Sequence, residues 1–324
     1  MKLTVAIGEP DRYVKSHIAE LRTAFPELEI EVLGNNERDF AGAEVLLART
    51  LSESELEAAE SLRAVFVPYT GLNRFPLKRM HERGITVVNS HGRAKAVAEK
   101  ALALALAVMG RVVEMHTAMQ REGVWLTRKR WGEEYWHSLH GKKCGIFGMG
   151  AIGSHLITLL RPFDVTVIGL KRDLDKGLAD VYVEDIRAMA EACDVLFVCA
   201  PLSDLTRGSI DREILASMHG RFLVNIARGE IIEEEALYWA LSQGVLAGAG
   251  LDVWYQYPEM GSYEPTFPSR YPIHELKNVV MSPHAASHAV EFRDGYYREI
   301  FEKLHYYLEH GSAMNAVNLG KLVL

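Results

Sequence analysis

The sequence predicts an α/β fold: two Rossmann-like or flavodoxin-like domains with parallel sheets and a cleft between them. Three observations predict it. Strand-like and helix-like segments alternate along nearly the whole chain. Several of the strand segments are continuous apolar runs, as in strands covered on both faces. A glycine turn, Gly148-Met149-Gly150-Ala151-Ile152-Gly153, joins one such strand to the next helix. At 324 residues the chain is long for one core and comfortable for two.

The elements follow in order. Leu3–Ile7 reads as a strand, and Val14–Phe25 as a helix with Ile18, Leu21 and Phe25 at helical spacing. Glu29–Leu33 and Ala43–Leu47 read as further strands. Ser52 with Glu55 forms a capping-box pattern that opens a helix over Glu53–Ser61. Ala64–Val67 and Ile85–Val88 are the apolar runs of two buried strands. From Ala96 to about Arg121 the Ala/Leu-rich pattern predicts one long helix, able to join two domains. Trp125, Trp131 and Trp136 then fall in a stretch expected to loop over the surface, as interface or core aromatics.

A second series begins at Lys142. Its strands are Lys143–Phe147, Val165–Ile168, Val195–Cys199, Arg221–Ile226 and Gly248–Leu251. Its helices are Ile152–Leu160, Val183–Glu191, Asp211–Ser217 and Glu233–Ser242. Repeated βαβ units imply parallel pairing. Val290–Leu308 is helical again, with Ile300, Phe301 and Leu304 among its apolar positions.

Composition narrows the function classes. Lys plus Arg number 36 against 43 Asp plus Glu, a net charge of −7. That balance argues against a nucleic acid or an anionic membrane as partner. No apolar stretch reaches the length of a membrane span, and the N-terminal run is too short for a signal segment. Cys144, Cys193 and Cys199 are odd in number and lack metal-ligand spacing, so they read as buried thiols of a reducing compartment. The expectation is a cytoplasmic protein with no metal.

Each glycine of the turn has its own physical reason. Gly148 permits the tight turn, Gly150 lets backbone approach a pyrophosphate, and Gly153 lets the helix pack closely on the strand. The free N–H groups of Gly150, Ala151 and Ile152, with Met149 before them, then face the phosphates at a helix start. The second strand, where an NAD binder ends in Asp or Glu, ends here in Lys171-Arg172. A paired ammonium and guanidinium suits the 2′-phosphate of NADP, so NADP is favoured over NAD. The alternative is a solvated basic strand end, with Asp173 taking the carboxylate's place.

Further motifs lie beyond the turn: Asn225-Ile226-Ala227-Arg228-Gly229, Gly250-Leu251-Asp252-Val253-Trp254 and Ser282-Pro283-His284. Ala200-Pro201-Leu202-Ser203 with Thr206-Arg207-Gly208, and Val97-Ala98-Glu99, accompany them. With these the sequence resembles the D-isomer-specific 2-hydroxyacid dehydrogenase family over almost its whole length. The chemistry needs these residue types. Arg228 supplies a planar clamp for a carboxylate. His284 titrates near neutrality and can give or take the hydroxyl proton.

The resemblance implies those catalytic roles and a hydride transfer between NAD(P)H and a small 2-keto or D-2-hydroxy acid of the glyoxylate or hydroxypyruvate type. It implies cofactor contacts by Pro201, Thr206, Ile226, Ala227 and Asp252, the last with the nicotinamide carboxamide. It implies a grip on the substrate carboxylate by backbone N–H groups of Tyr69, Thr70, Gly71 and Leu72. It also implies a homodimer built through the cofactor domain. The expected division is residues 1–95 with 287–324 for substrate and 96–286 for the dinucleotide.

The sequence departs from the family pattern at two places. The family's Glu five residues after the motif Asp, partner of the catalytic His, is Tyr257 here, and the nearest carboxylate is Glu259. Either the loop bends to bring Glu259 to His284, or the dyad is altered; without a carboxylate the His pKa falls. Two other readings stem from Tyr257: a dinucleotide-sensing binding protein with weak or no catalysis, and a formate-dehydrogenase-like member. The substrate loop also differs from the common Gly-x-Gly-x-Asp. Arg74, Arg93 and Lys95 nearby could hold an anionic tail or stand as solvated charges.

Overall fold

The apolar runs of the first series become a five-stranded sheet and those of the second a seven-stranded one, both parallel throughout. The computed structural model describes residues 1–320 except 36, 127–134, 260 and 293. Contacts divide the chain into Met1–Arg93 with Val290–Leu324, and Ala94–Ala289.

In the first unit the chain runs β1 (Lys2–Ala6), α1 (Arg12–Ala24), β2 (Glu29–Val32), β3 (Val45–Ala48), α2 (Glu53–Ala58), β4 (Ala64–Val67), α3 (Leu77–Glu82) and β5 (Thr86–Asn89). The sheet order is β2-β1-β3-β4-β5, a flavodoxin-like order. Successive strand residues point to opposite faces. Val5, Leu47 and Phe66 therefore pack with Val14 and Ile18 of α1, while Leu46, Val65 and Val87 pack with Leu56 of α2 and Met80 of α3. Burying each such side chain is worth about 1.5–3 kcal/mol. The capping box at Ser52 and Glu55 is formed, with bonds of 3.3 and 2.7 Å. Its helix closes at Ala58, short of the expected Ser61.

The second unit runs α4 (Ala94–Met109), α5 (Val112–Glu122), β6 (Lys143–Phe147), α6 (Ala151–Leu160), β7 (Thr166–Leu170), β8 (Val181–Val183), α7 (Ile186–Ala192), β9 (Val195–Val198), α8 (Arg212–Ser217), β10 (Arg221–Asn225), α9 (Glu234–Ser242), β11 (Leu246–Leu251) and β12 (Val279–Met281). The order β12-β11-β10-β9-β6-β7-β8 is doubly wound about β6. Leu104, Leu156 and Leu160 of α4 and α6 cover one face, and Met189, Ile214 and Leu237 of α7, α8 and α9 the other.

Two expectations are corrected here. The single helix from Ala96 to Arg121 is two helices, parted at Gly110 and Arg111. Arg111 adopts the left-handed region at φ 52°, and its guanidinium is held by Glu114 at 2.7 and 2.8 Å. The helix expected over Val183–Glu191 begins only at Ile186, where the Asp185 carboxylate caps the Ala188 N–H at 2.9 Å. Val181–Val183 is instead the edge strand β8. Trp131 lies outside the described residues; Trp125 and Trp136 are exposed. No described helix is long and apolar enough to cross a membrane.

The chain returns to the first unit through a single 3-10 turn, Val290–Phe292, and α10 (Gly295–His310). Tyr297, Ile300, Phe301 and Leu304 complete the sheet face that α1 begins.

Candidate active site

In the second unit, Phe147 pairs with Val198, Val198 with Asn225, Asn225 with Leu251, and Leu251 with Met281. These are the last residues of five adjacent strands, so one register row marks the carboxyl edge of the sheet. Each strand then releases one of the motifs: Gly148 onward, Ala200-Pro201, Ile226-Ala227-Arg228, Asp252, and Ser282-Pro283-His284. The strand order reverses between β6 and β9, where an open α/β sheet binds its ligand.

The glycine turn has the form a dinucleotide needs. Gly148 sits at φ +104°, and a Cβ there would stand 2.6 Å from the Ala200 backbone. A Cβ on Gly153 would collide with the Gly148 carbonyl. Gly150 faces open space, and α6, which it caps, has no side-chain cap for its free N–H groups. These residues fit a pyrophosphate.

At the end of β7, Lys171 is exposed and paired with Glu184. Arg172 is exposed, lies 5.5 Å over the Phe147 ring and stands 3.8 Å from Asp173. The Asp173 carboxylate is largely buried and accepts from Lys176 at 3.0 Å; Lys176 also donates to the Met149 carbonyl at 2.8 Å. Lys176 thus ties the basic strand end to the glycine turn, a contact the sequence reading missed.

Arg228 stands just beyond β10. Buried Asn225 shapes its loop, accepting from the Ala227 N–H at 3.0 Å and donating to the Arg228 carbonyl at 2.9 Å. Arg228 Nη1 also donates to the Ala227 carbonyl at 2.6 Å. Gly229 is required by packing, since a Cβ would collide with the Trp254 carbonyl. Ile226 and Ala227 are buried. Thr206 is buried too; its hydroxyl donates to the Pro201 carbonyl at 2.7 Å and accepts from Ser203 N–H at 2.8 Å, closing the Pro201 loop.

His284 is half-buried and holds a left-handed backbone at φ 55°, uncommon for a residue with a side chain. Two neighbours fix that loop. The Trp254 indole N–H donates to the Ser282 carbonyl at 2.8 Å. Asp252, fully buried, accepts from the Ala285 and Ala286 N–H groups at 3.0 and 2.9 Å. Both carboxylate oxygens thus serve the His284 loop, and Asp252 is shielded from the surface. These bonds make Asp252 a positioning residue for that loop.

The Glu259 side chain is exposed on the loop after Trp254. Tyr257 stands beside His284, its ring centroid 5.5 Å from that of His284 at 51°. The Tyr257 hydroxyl accepts from the Trp254 N–H at 3.1 Å. Burial raises the Tyr257 pKa, with the Trp254 bond and the Arg228 charge opposing. A neutral ring therefore occupies the position of the expected carboxylate.

In the first unit, Tyr69, Thr70, Gly71 and Leu72 follow β4, and Arg74 is exposed; Lys95, in α4 of the second unit, is exposed as well. Arg93 Nε donates to the Phe292 carbonyl at 3.0 Å. All three cysteines are free thiols pushed up to about 12 by burial, and so are poor nucleophiles. Among the described residues no cluster of His, Cys, Asp and Glu could hold a metal.

Residues 102–286 match the family model described as D-isomer specific 2-hydroxyacid dehydrogenase, NAD binding domain. The chain belongs to the D-isomer-specific 2-hydroxyacid dehydrogenase family. Among similar members, a glyoxylate reductase of Korarchaeum cryptofilum is 33% identical over 80% of this chain and 77% of its own length. A hydroxypyruvate reductase of Thermotoga maritima is 31% identical over 88% of this chain and 86% of its own. An NADPH-dependent glyoxylate/hydroxypyruvate reductase from Sinorhizobium meliloti, solved with NADP and malonate, superposes with a TM-score of 0.79. It is 26% identical, and the match covers 100% of this chain and 98% of that one. Membership makes the chain an oxidoreductase of 2-hydroxy acids that uses a nicotinamide dinucleotide.

Proposed function

We propose that this chain reduces a small 2-keto acid of the glyoxylate or hydroxypyruvate class to its D-2-hydroxy acid, with NADPH preferred over NADH. The carrying observation is the register row, which sets the glycine turn, Arg228 and His284 along one sheet edge. Residues Gly148–Gly153 would hold the pyrophosphate, with Pro201, Thr206, Ile226 and Ala227 forming the neighbouring loops. Bound there, the nicotinamide supplies the hydride. Arg228 orients the substrate carboxylate and polarises the carbonyl. His284, as imidazolium, gives its proton to the oxygen on C2. Tyr69, Thr70, Gly71 and Leu72 hold the carboxylate through backbone N–H groups.

The NADP preference is supported by the exposed pair Lys171 and Arg172, and by the burial of Asp173 against Lys176, which withdraws a carboxylate from the 2′-position. A homodimer through the second unit is supported by the exposed apolar side chains Leu106, Val112, Val113 and Met119 of α4 and α5. The free thiols support a cytoplasmic setting.

The test is oxidation of NADPH with glyoxylate, hydroxypyruvate and longer 2-keto acids, using the wild type and His284→Ala. Turnover that falls at least about a hundredfold in the variant supports the assignment. Tight cofactor binding with no turnover on any acid would instead establish a dinucleotide-sensing protein, the reading that Tyr257 favours.

A further inference from the structure

We propose that Glu299 and Lys303 of α10 are positioning residues for the substrate loop, acting through Asn89 and Ser90. The inference rests on the reading of Tyr69–Leu72 as the carboxylate grip. Val67 and Asn89 pair at the ends of the neighbouring strands β4 and β5, so the loops that follow them leave the sheet side by side. They are bonded to each other at two points. The Asn89 amide donates to the Thr70 carbonyl at 2.8 Å, and the Thr70 hydroxyl donates to the Ser90 carbonyl at 3.0 Å.

The second of these loops is in turn held from below by α10. Lys303 Nζ donates to the Asn89 carbonyl at 2.9 Å and pairs with Glu299 at 2.6 Å. The other Glu299 oxygen accepts from the Ser90 hydroxyl at 2.8 Å and the His91 N–H at 2.6 Å. Asn89, Ser90 and Lys303 are buried, Lys303 to 6% exposure. Burial alone would raise the Glu299 carboxyl, yet Lys303 and Ser90 hold it below the usual range.

Stability alone does not account for this arrangement. Burying an ammonium such as that of Lys303 costs several kcal/mol, its half-buried partner Glu299 adds a smaller cost, and a well-packed apolar pair often serves a fold as well or better. Ile300, Phe301 and Leu304 of α10 already supply apolar packing on the sheet. Besides their mutual ion pair, the hydrogen bonds of Glu299 and Lys303 end on Asn89, Ser90 and His91, one residue removed from Thr70. What the pair fixes is the path of that backbone. A carboxylate grip made of N–H groups depends on that path, because a displacement of about 1 Å can cost a hundredfold in rate.

The test is steady-state kinetics of glyoxylate and hydroxypyruvate reduction by Glu299→Gln, Lys303→Met, the double variant and Lys303→Arg, each with a thermal melt. The expected result is a KM for the keto acid raised about tenfold or more in the double variant. KM for NADPH and the melting temperature stay near wild type, and Lys303→Arg recovers much of the loss. Ser90→Ala, which removes one hydroxyl from the same network, is the milder variant and decides the matter if the double variant does not fold. It should raise the keto-acid KM severalfold.

An unchanged keto-acid KM in the folded double variant, or in Ser90→Ala if that variant alone folds, would overturn the proposal. So would equal losses for acid and cofactor accompanied by a lower melting temperature. Gly71→Val separates the two levels. If it leaves the keto-acid KM unchanged, the loop is not the grip. If it raises that KM while the α10 variants do not, only the positioning role fails.

Discussion

Asp252→Asn isolates the clamp on the His284 loop. The wild-type carboxylate accepts one backbone N–H on each oxygen, from Ala285 and Ala286, in a site with no solvent exposure. The amide keeps one acceptor and turns an NH2 toward the other N–H. One charge-assisted bond is lost and one buried donor is left unmade, together about 2–4 kcal/mol. That is a large share of the ~5–15 kcal/mol that holds a typical domain.

The same clamp supports the left-handed backbone of His284, which itself costs about 1–2 kcal/mol. With the clamp weakened, His284 relaxes out of position, and kcat should fall at least about tenfold, which corresponds to ~1.4 kcal/mol. Urea unfolding and steady-state reduction rates measure the two effects. A variant within about 0.5 kcal/mol of wild-type stability, well under the expected loss, and with unchanged kcat would refute the clamp.

Three further outcomes are expected. Tyr257→Glu places a carboxylate beside His284 and so favours the imidazolium; the rate of keto-acid reduction, which needs that proton, should then persist to a pH higher by about one unit, and a superimposable pH profile would remove Tyr257 from consideration. Lys171→Ala with Arg172→Ala should raise the KM for NADPH at least about tenfold while hardly moving that for NADH, whereas equal losses would rule out phosphate recognition. Glu55 is held down to about 2 by the Arg38 guanidinium and the Ser52 N–H, from an ordinary 4.5. Its folded-state pKa is depressed, so its contribution is complete above pH 4.5 and lost as pH falls toward 2. Glu55→Gln should therefore destabilise by about 1 kcal/mol at pH 7 and by only a small fraction of that near pH 2, as read by urea titration at both.

The parts of the molecule that were legible in the sequence are those with a local cause. Ser52 and Glu55 announce a cap because the reciprocal bonds span three residues, and Gly148 and Gly153 announce a turn because each answers a close backbone contact, while Gly150 leaves open space at the helix start. Apolar runs such as Val195–Val198 announce strands buried on both faces. What stayed hidden depends on distant partners. The break at Gly110 and Arg111 sits between two segments that both favour helix, so the periodic pattern runs straight across it. Asp252 turns to the amides of Ala285 and Ala286, more than thirty residues on, and nothing near it in the sequence says so. Glu299 and Lys303 look like an ordinary surface i,i+4 pair; their only local sign is that Ile300 and Leu304, each one residue later, face the core.

The return of the chain to its first unit has a consequence for synthesis. Ribosomes deliver residues in order, so the second unit is complete at Ala289 while α10 is still unmade. Until α10 emerges, the sheet face carrying Leu47, Phe66 and Val88 lacks the cover of Ile300, Phe301 and Leu304. A nascent or truncated chain thus presents a finished cofactor domain beside an apolar surface open to chaperones or to aggregation.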